Sequence, residues 1–360
     1  MLIPSSIKRR SILKGAALGA ATVAFPTVLV PRKTRAADRI VVRDPGGPFE
    51  KAFTEAFYKP FTQETGIEVV GVAGQHDPIA IVKAMVETNV YQWDVFAVAY
   101  SSEQTLRNQG MLEKLELDSD PVVQEIPAHF RTPTMIGVDV YAAVLGYRTD
   151  VYPAKAKAPT GGWKDVWDLR GIPGRRGMRK YPQDTLEEAL MADGVPGGKI
   201  YPIDFDRAFK SLEKIKKDVA VWWTGGAQAS QLLKTGEVDM CATWSARVQS
   251  AIDNGGPCAI SWNQGLWSYE GWAVAKGNPK LELARKFIRY TSRAKAQAAY
   301  TPFVTNGPPN PNALKYVDPK RTALLPTYPD NFKQMFRIDS DYWGTVQEKA
   351  IERFNQWMLT

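Results

Sequence analysis

Short apolar runs alternate with longer mixed segments along most of the chain. Runs at residues 39–42, 67–72 and 93–98 have the length of strands, and the segments at 49–64 and 78–88 have the pattern of helices. This alternation predicts an α/β fold with a largely parallel sheet. Because ligands in such sheets bind beyond the carboxyl ends of the strands, we expect the turns after these strands to line a binding site.

A second unit with the same rhythm begins near residue 147 and includes a predicted strand at 219–223, a helix at 245–254 and a strand at 258–262. Residues 272–277 then lead back toward the first unit. We therefore expect two lobes. Lobe 1 comprises 37–146 plus 276–310, and lobe 2 comprises 147–275 plus 311–360, with the C-terminal helices on lobe 2.

The first 36 residues have a different pattern from the rest. They carry basic residues and no acidic one, and an apolar, small-residue run follows the basic start. The stretch from Lys8 to Lys14 contains the pair Arg9-Arg10 and is similar to a twin-arginine signal, with Ala36 and Ala37 as a cleavage site. We expect residues 1–36 to be a removable export signal and the mature protein to be periplasmic. The alternative is a basic helix that stays on the cytosolic face.

Charge and composition exclude several classes of protein. The formal net charge of +8 falls to about +1 without the predicted signal, so the charge gives no reason to expect a nucleic-acid partner. No later segment is apolar for the roughly 18 residues of a spanning helix. Cys241 and Cys258 lie in apolar runs, where buried thiols are more common than a disulfide.

The sequence offers little for catalysis or metal binding. Only His76 and His129 occur, and there is no nucleophile elbow, dinucleotide-binding motif or Cys/His metal spacing. We therefore expect no cofactor, no metal and no enzymatic activity. An exported enzyme that uses carboxylates alone stays open as an alternative. Ferric-ion carriage would need paired tyrosines, whereas Tyr269 and Tyr290 are far apart.

Several short segments occur in a fixed order after the signal. They are Lys59 to Phe61, Glu64 to Val69, Trp93 to Val95, Gly110 to Leu112, Gly146 to Asp150, Leu232-Leu233 with Gly236 to Val238, Thr243 to Arg247 and Asn306 to Ala313. Taken together, these segments resemble the extracellular solute-binding family that includes the spermidine/putrescine-binding proteins and their relatives for γ-aminobutyrate-like ligands. The resemblance covers nearly all of the chain after the signal. It implies a type II periplasmic-binding-protein fold, with the ligand in a cleft between two α/β lobes.

The resemblance also implies roles for individual residues. Trp244 falls at an aromatic position that packs on bound amines, Glu270 at an acid that pairs with an amino group, and Asp184 at a second acidic position. Tyr181 stands where the polyamine binders have another carboxylate. Because each buried ammonium requires its own carboxylate, this loss favours a ligand with one ammonium group.

Further candidates come from the residues themselves. Arg247 lies one turn into the helix after Trp244, where a guanidinium can bind a carboxylate with two hydrogen bonds. Alternatively, Arg247 pairs with a surface acid and Glu270 faces solvent. The other predicted ligand contacts are aromatic rings, hydroxyl groups and backbone N–H groups at Trp267, Tyr269, Tyr100, Ser101, Gly47, Gly226 and Ala227.

These observations predict the solute-binding component of an ABC importer. The expected ligand is a γ-aminobutyrate-like ω-amino acid, with a polyamine as the alternative. The expected partners are this small molecule and a permease in the inner membrane, and we expect the mature protein to be a monomer that closes on its ligand.

Overall fold

The structure is a computed structural model that describes residues 38–74, 78–153 and 158–360. The predicted export signal, residues 1–36, and His76 lie outside the described residues. Among the described residues, no helix is both long and apolar enough to cross a membrane.

The helices and strands alternate over the first half of the chain, as the sequence predicts. The strands are β1 (Arg39–Asp44), β2 (Glu68–Ala73), β3 (Val95–Ala99), β4 (Arg131–Thr132), β5 (Met135–Arg148), β6 (Arg176–Arg179), β7 (Val219–Trp223), β8 (Met240–Trp244), β9 (Cys258–Ala273) and β10 (Phe336–Arg337). The helices are α1 (Pro48–Phe53), α2 (Lys59–Thr65), α3 (Ile79–Thr88), α4 (Tyr100–Asn108), α5 (Pro121–Gln124), α6 (Lys164–Trp167), α7 (Pro182–Ala192), α8 (Phe205–Glu213), α9 (Gly226–Thr235), α10 (Ser245–Asp253), α11 (Leu281–Thr291), α12 (Ala294–Ala299), α13 (Pro319–Thr322), α14 (Pro329–Phe332) and α15 (Ser340–Leu359).

The strands form one sheet in the order β2-β1-β3-β9-β5-β8-β6-β7, with β4 and β10 at the sides of β5 and β9. At one end β1 pairs in parallel with β2 and β3, and at the other end β6 pairs in parallel with β7 and β8. The pairs β3–β9, β9–β5 and β5–β8 between these ends are antiparallel. The expected α/β class is confirmed, with two parallel groups joined through antiparallel strands.

The two long central strands connect the parallel groups. Residues 270–273 of β9 pair with β3, whereas 258–261 pair with the end of β5. Residues 143–147 of β5 in turn pair with β8. The chain therefore passes between the two groups within β5 and β9, whereas the sequence indicated only a short strand at residues 258–262.

Aromatic side chains fill the larger apolar core, which lies largely around the first parallel group. Phe53 packs against Phe57 and Trp272 with ring centroids 5.0 Å and 5.3 Å away. Such pairs contribute about 0.5–1.5 kcal/mol beyond the burial of their area. Cys241 and Cys258 are both buried and free.

The second core lies around β6 and receives the C-terminal helix α15. Trp343 and Phe354 of α15 are buried in it. The Tyr100 hydroxyl, which lies on α4 beside the first group, is 3.2 Å from the Asp341 carboxylate of α15. The C-terminal helix therefore packs around β6 and also contacts α4.

Candidate functional site

A cavity of about 710 Å³ opens between the two parallel groups. Its walls come from the turns after β1 and β3, from the ends of β6 and β8, and from the middle of β5 and β9. Parallel strands direct their carboxyl ends to one edge of a sheet, so the residues after them collect there. The volume lies in the usual range for a small-molecule site.

The first wall is built from two turns. The turn after β1 is held by the Asp44 carboxylate, which accepts hydrogen bonds from the Gly46 N–H at 2.8 Å and the Tyr58 hydroxyl at 3.0 Å. Gly46 has φ of 75°, and a Cβ there would approach the Gly74 carbonyl oxygen to 3.0 Å. Glycine is therefore required for this turn to bring Pro45 and Gly46 to the cavity.

Helix α4 supplies the second part of the first wall. Ser101 and Ser102 lie in its first turn and line the cavity. The N–H groups of a first helical turn have no partner within the helix and favour negative charge. This part of the wall can therefore contribute to binding a carboxylate.

Helix α10 presents one face to the cavity from the opposite wall. Ala246, Ser250 and Asp253 lie on this face at intervals of three to four residues, together with Arg247. Within the described residues, the Arg247 side chain forms no hydrogen bond or ion pair. Burial lowers the pKa of the Arg247 guanidinium, as expected for a cation with little water around it. An anionic group in the cavity would relieve that cost.

A second arginine at the same wall has close partners. Arg179, the last residue of β6, donates a hydrogen bond of 2.7 Å to the Asp184 carboxylate. Its guanidinium carbon lies 4.5 Å from the ring centre of Tyr181 and 4.7 Å from that of Trp244. Arg179, Tyr181, Trp244 and Asp184, which we call the Arg179 cluster, all line the cavity.

The acidic part of the cavity lies on the two central strands. Glu270 of β9 lines the cavity and is the antiparallel partner of Asp139 on β5. Asp139 is fully buried and accepts a hydrogen bond of 2.8 Å from the Asn306 amide. Burial and then the nearby Glu270 carboxylate raise the pKa of Asp139 well above its usual range. Glu270 is the member of this acidic pair that lines the cavity, so its carboxyl group is the one that a cationic group in the cavity can approach.

Comparison with known proteins agrees with this architecture. The family model for bacterial extracellular solute-binding proteins matches residues 56–327. The chain belongs to this family. It is a substrate-binding protein of the ABC-transporter class and not an enzyme, as the sequence predicted.

This solute-binding protein has relatives that match over nearly their whole length. It is 35% identical over 324 residues to the gamma-aminobutyric acid-binding protein of Pseudomonas aeruginosa, a match that covers 87% of this chain and 88% of the relative. An ABC transporter substrate-binding protein from Bradyrhizobium japonicum has a TM-score of 0.84 at 35% identity, with 89% of this chain and 99% of that one covered. A solved GABA receptor has a TM-score of 0.81 at 32% identity, with 89% and 98% covered.

The structure brings together about half of the residues proposed from the sequence. Those that line the cavity of this solute-binding protein are Trp244, Arg247, Glu270, Asp184, Tyr181 and Ser101. Trp244 ends β8 and Arg247 lies in the first turn of α10, as the strand–helix pattern predicted. Asp184, however, is paired with Arg179, and one face of Trp244 is covered by the same guanidinium.

The remaining aromatic candidates lie outside the cavity lining. Trp267 packs against Phe130 and Phe332, and Tyr269 stacks on Tyr100 with centroids 5.0 Å apart. Successive side chains of a strand point to opposite faces, so Trp267 and Tyr269 cannot share the face of Glu270. The expectation that these rings contact the ligand does not fit this placement.

The glycine and helix-start candidates are also placed differently. Pro45, Gly46 and Pro48 line the cavity, and Gly47 between them does not. Gly226 lies against Arg247, where an added Cβ would come within 2.6 Å of the guanidinium Nε. Gly226 and its neighbour Ala227 are absent from the cavity lining, and we assign Gly226 the role of leaving room for the Arg247 side chain.

Several lining residues were not predicted from the sequence, among them Arg179, Tyr141 and Asn306. Arg179 and Tyr141 belong to β6 and β5, strands that the sequence analysis did not assign. The sequence indicates cavity-lining residues mainly through the turn that follows a recognised strand. Because β5 and β6 were not recognised as strands, there was no such indication for Arg179 and Tyr141.

Proposed function

We propose that this solute-binding protein captures a small zwitterion with one ammonium and one carboxylate group, of the γ-aminobutyrate type. The observation that carries the proposal is the Arg247 guanidinium, which has no partner among the described residues, in a cavity that Glu270 also lines. A buried cation without an anion is costly, and a ligand carboxylate supplies that anion. Two relatives that bind γ-aminobutyrate according to their names support this choice.

Each end of the ligand has a matching partner. A carboxylate beside Arg247 accepts two parallel N–H bonds, and the first turn of α4 on the facing wall adds favourable polarity. An ammonium beside Glu270 is held by that carboxylate. The tight hydrogen bonding at both ends selects ligands that carry both charges.

Calorimetry with γ-aminobutyrate tests this assignment. Removing one partner of a desolvated charge pair costs about 2–5 kcal/mol, so Arg247→Met should weaken γ-aminobutyrate binding at least about thirtyfold. Butylamine, which lacks the carboxylate, should bind both proteins about equally. The matched control is Arg321→Met, because Arg321 also lines the cavity but already pairs with Asp253 at 3.1 Å.

Two results would contradict the proposed function. One is an Arg247→Met protein that binds γ-aminobutyrate as tightly as the wild type. The other is a wild-type protein that binds putrescine tightly and does not bind γ-aminobutyrate.

The proposal extends to where the protein works. The basic, acid-free residues 1–36 favour export by the twin-arginine route, and the mature monomer would hand its ligand to an inner-membrane permease. Changing Arg9 and Arg10 to Lys should leave the precursor in the cytoplasm. Normal periplasmic levels of that variant would instead point to the general secretion route.

A further inference from the structure

The Arg179 cluster has the composition of a binding site for an organic cation. Aromatic faces and a carboxylate are the groups that hold alkylammonium ions in proteins. Here the Tyr181 and Trp244 rings lie 4.5 Å and 4.7 Å from the same guanidinium carbon, and the Asp184 carboxylate lies 2.7 Å from its Nη1. The cation in this arrangement is the protein's own arginine.

The cluster is held by the structure around it. The Trp244 ring packs edge-on against Trp223 at 5.4 Å, and the Trp223 indole N–H donates to the Ala242 carbonyl oxygen at 3.0 Å. The Tyr181 hydroxyl accepts a hydrogen bond of 2.9 Å from the Gln347 amide. These contacts hold the Tyr181 and Trp244 rings in place. We therefore expect the space beside the two rings to remain when another cation replaces the Arg179 guanidinium.

Asp184 adopts a backbone conformation that aspartate rarely takes. Its φ of 74° and ψ of −54° interrupt the start of α7, and its side chain is only 2% exposed. Such conformations cost on the order of 1–3 kcal/mol and are found mainly at functional sites. One carboxylate oxygen of Asp184 is buried and has no hydrogen-bond partner in the part of the chain that the structure describes. An ion pair formed for stability alone would not require this strained and incompletely satisfied placement.

We propose that Arg179 determines specificity by occupying the place of a second ammonium group. This rests on the proposed function, because Glu270 is taken to hold the ligand's single ammonium. A diamine that placed one end at Glu270 would bring its other ammonium group to the Arg179 cluster, where the guanidinium already occupies the space beside the two rings and the Asp184 carboxylate. That ammonium group would lose its hydration without gaining a carboxylate of its own. The protein thereby rejects polyamines while a carboxylate at the other end remains acceptable.

The test is a gain of diamine binding. Arg179→Met should raise putrescine affinity about tenfold or more, because Asp184 and the two rings become free for an ammonium. Arg293→Met removes the same charge outside the cavity lining, from an arginine that also contacts a carboxylate, Glu64, and an aromatic ring, Tyr290. It should leave putrescine affinity within about threefold. The double variant Arg179→Met with Asp184→Asn keeps the rings without the carboxylate, so it should lose the gain.

Calorimetry with putrescine and γ-aminobutyrate should be combined with thermal unfolding of each variant. A folded Arg179→Met protein without increased putrescine affinity would overturn the inference, and so would an equal gain in Arg293→Met. Should the methionine variant unfold at the assay temperature, Arg179→Gln replaces it with the same expected gain. Wild-type protein that prefers putrescine would refute the proposed function itself, whereas γ-aminobutyrate binding without a gain in the variant refutes only the role of Arg179.

Discussion

Two neighbouring strand–helix units, β6–α7 and β8–α10, line the same wall of the cavity with opposite electrostatic character. In β6–α7 the arginine stands on the strand, and Asp184, Glu187 and Glu188 follow on the helix, all buried. In β8–α10 the strand ends in Trp244, and Arg247 on the helix has no partner among the described residues. One unit neutralises its own cation, and the other leaves its cation available.

The comparison shows that an arginine's role depends on its neighbours rather than on its position after a strand. Arg179 and Arg247 both line the cavity. The Arg179 guanidinium is held by an ion pair and by two aromatic rings of the protein, whereas the Arg247 guanidinium is placed to bind an anionic group of a ligand. Under the proposed function, the same cavity attracts a carboxylate at Arg247 and excludes a second ammonium group at Arg179.

The largest effect should come from the acid that faces both units. Glu270→Gln should weaken γ-aminobutyrate binding at least about thirtyfold, because the ligand ammonium loses its desolvated partner. Butyrate, which has no ammonium, should bind about equally to variant and wild type in calorimetry. Asp253→Asn is the control, since Asp253 also lines the cavity but pairs with Arg321. An unchanged γ-aminobutyrate affinity in Glu270→Gln would show that Glu270 does not bind the ligand ammonium.

A smaller effect should follow from breaking the ion pair of β6–α7. Asp184→Asn leaves the partly buried Arg179 guanidinium without its anion, so the free energy of unfolding should fall by about 1–3 kcal/mol. The Asp253→Asn change at the more exposed Arg321 pair should cost less than about 1 kcal/mol. Urea titration of both variants measures the difference. Equal losses of unfolding free energy would show that the greater burial of the Arg179–Asp184 ion pair does not increase its contribution to stability.

The smallest expected effect is the pH dependence of stability that arises from Glu187, a buried acid on α7. Burial and then the Asp184 carboxylate raise the pKa of Glu187 to about 7, although the Tyr201 hydroxyl and the Trp343 indole N–H donate to it. The folded state therefore keeps a proton that the unfolded state releases above its ordinary pKa of 4.5. The wild type should lose stability on the order of 1 kcal/mol as the pH rises from 5 to 7.

Glu187→Gln removes this titration. The stability of the variant relative to the wild type should therefore rise over the same pH interval. Urea unfolding at pH 5, 6 and 7 measures it, with Glu348→Gln on the exposed side of α15 as the control. A difference between Glu187→Gln and wild type that stays constant across this range would show that Glu187 does not carry the proton.

Local pattern was enough to predict many elements but less reliable for their ends. Strand β7 was predicted at residues 219–223, as observed, and helix α10 one residue too long. Helix α4 begins at Tyr100 with Ala99 as its N-cap, and no side chain caps it, so the serines at 101 and 102 do not mark where this helix starts. Periodicity reports how residues repeat within an element, and a single serine cannot show which residue starts it.

The sequence by itself determined the α/β class, the family, and Arg247, Trp244 and Glu270 as cavity residues, because each follows from a local pattern or an ordered set of motifs. Only the tertiary structure decided that Arg179 neutralises Asp184, that Asp139 lies beside Glu270, and that Trp267 and Tyr269 point away. Pairing partners in a sheet are distant in the chain, and the register between them sets which face each side chain takes. A charge therefore becomes a site or a structural pair only when the fold supplies its neighbours.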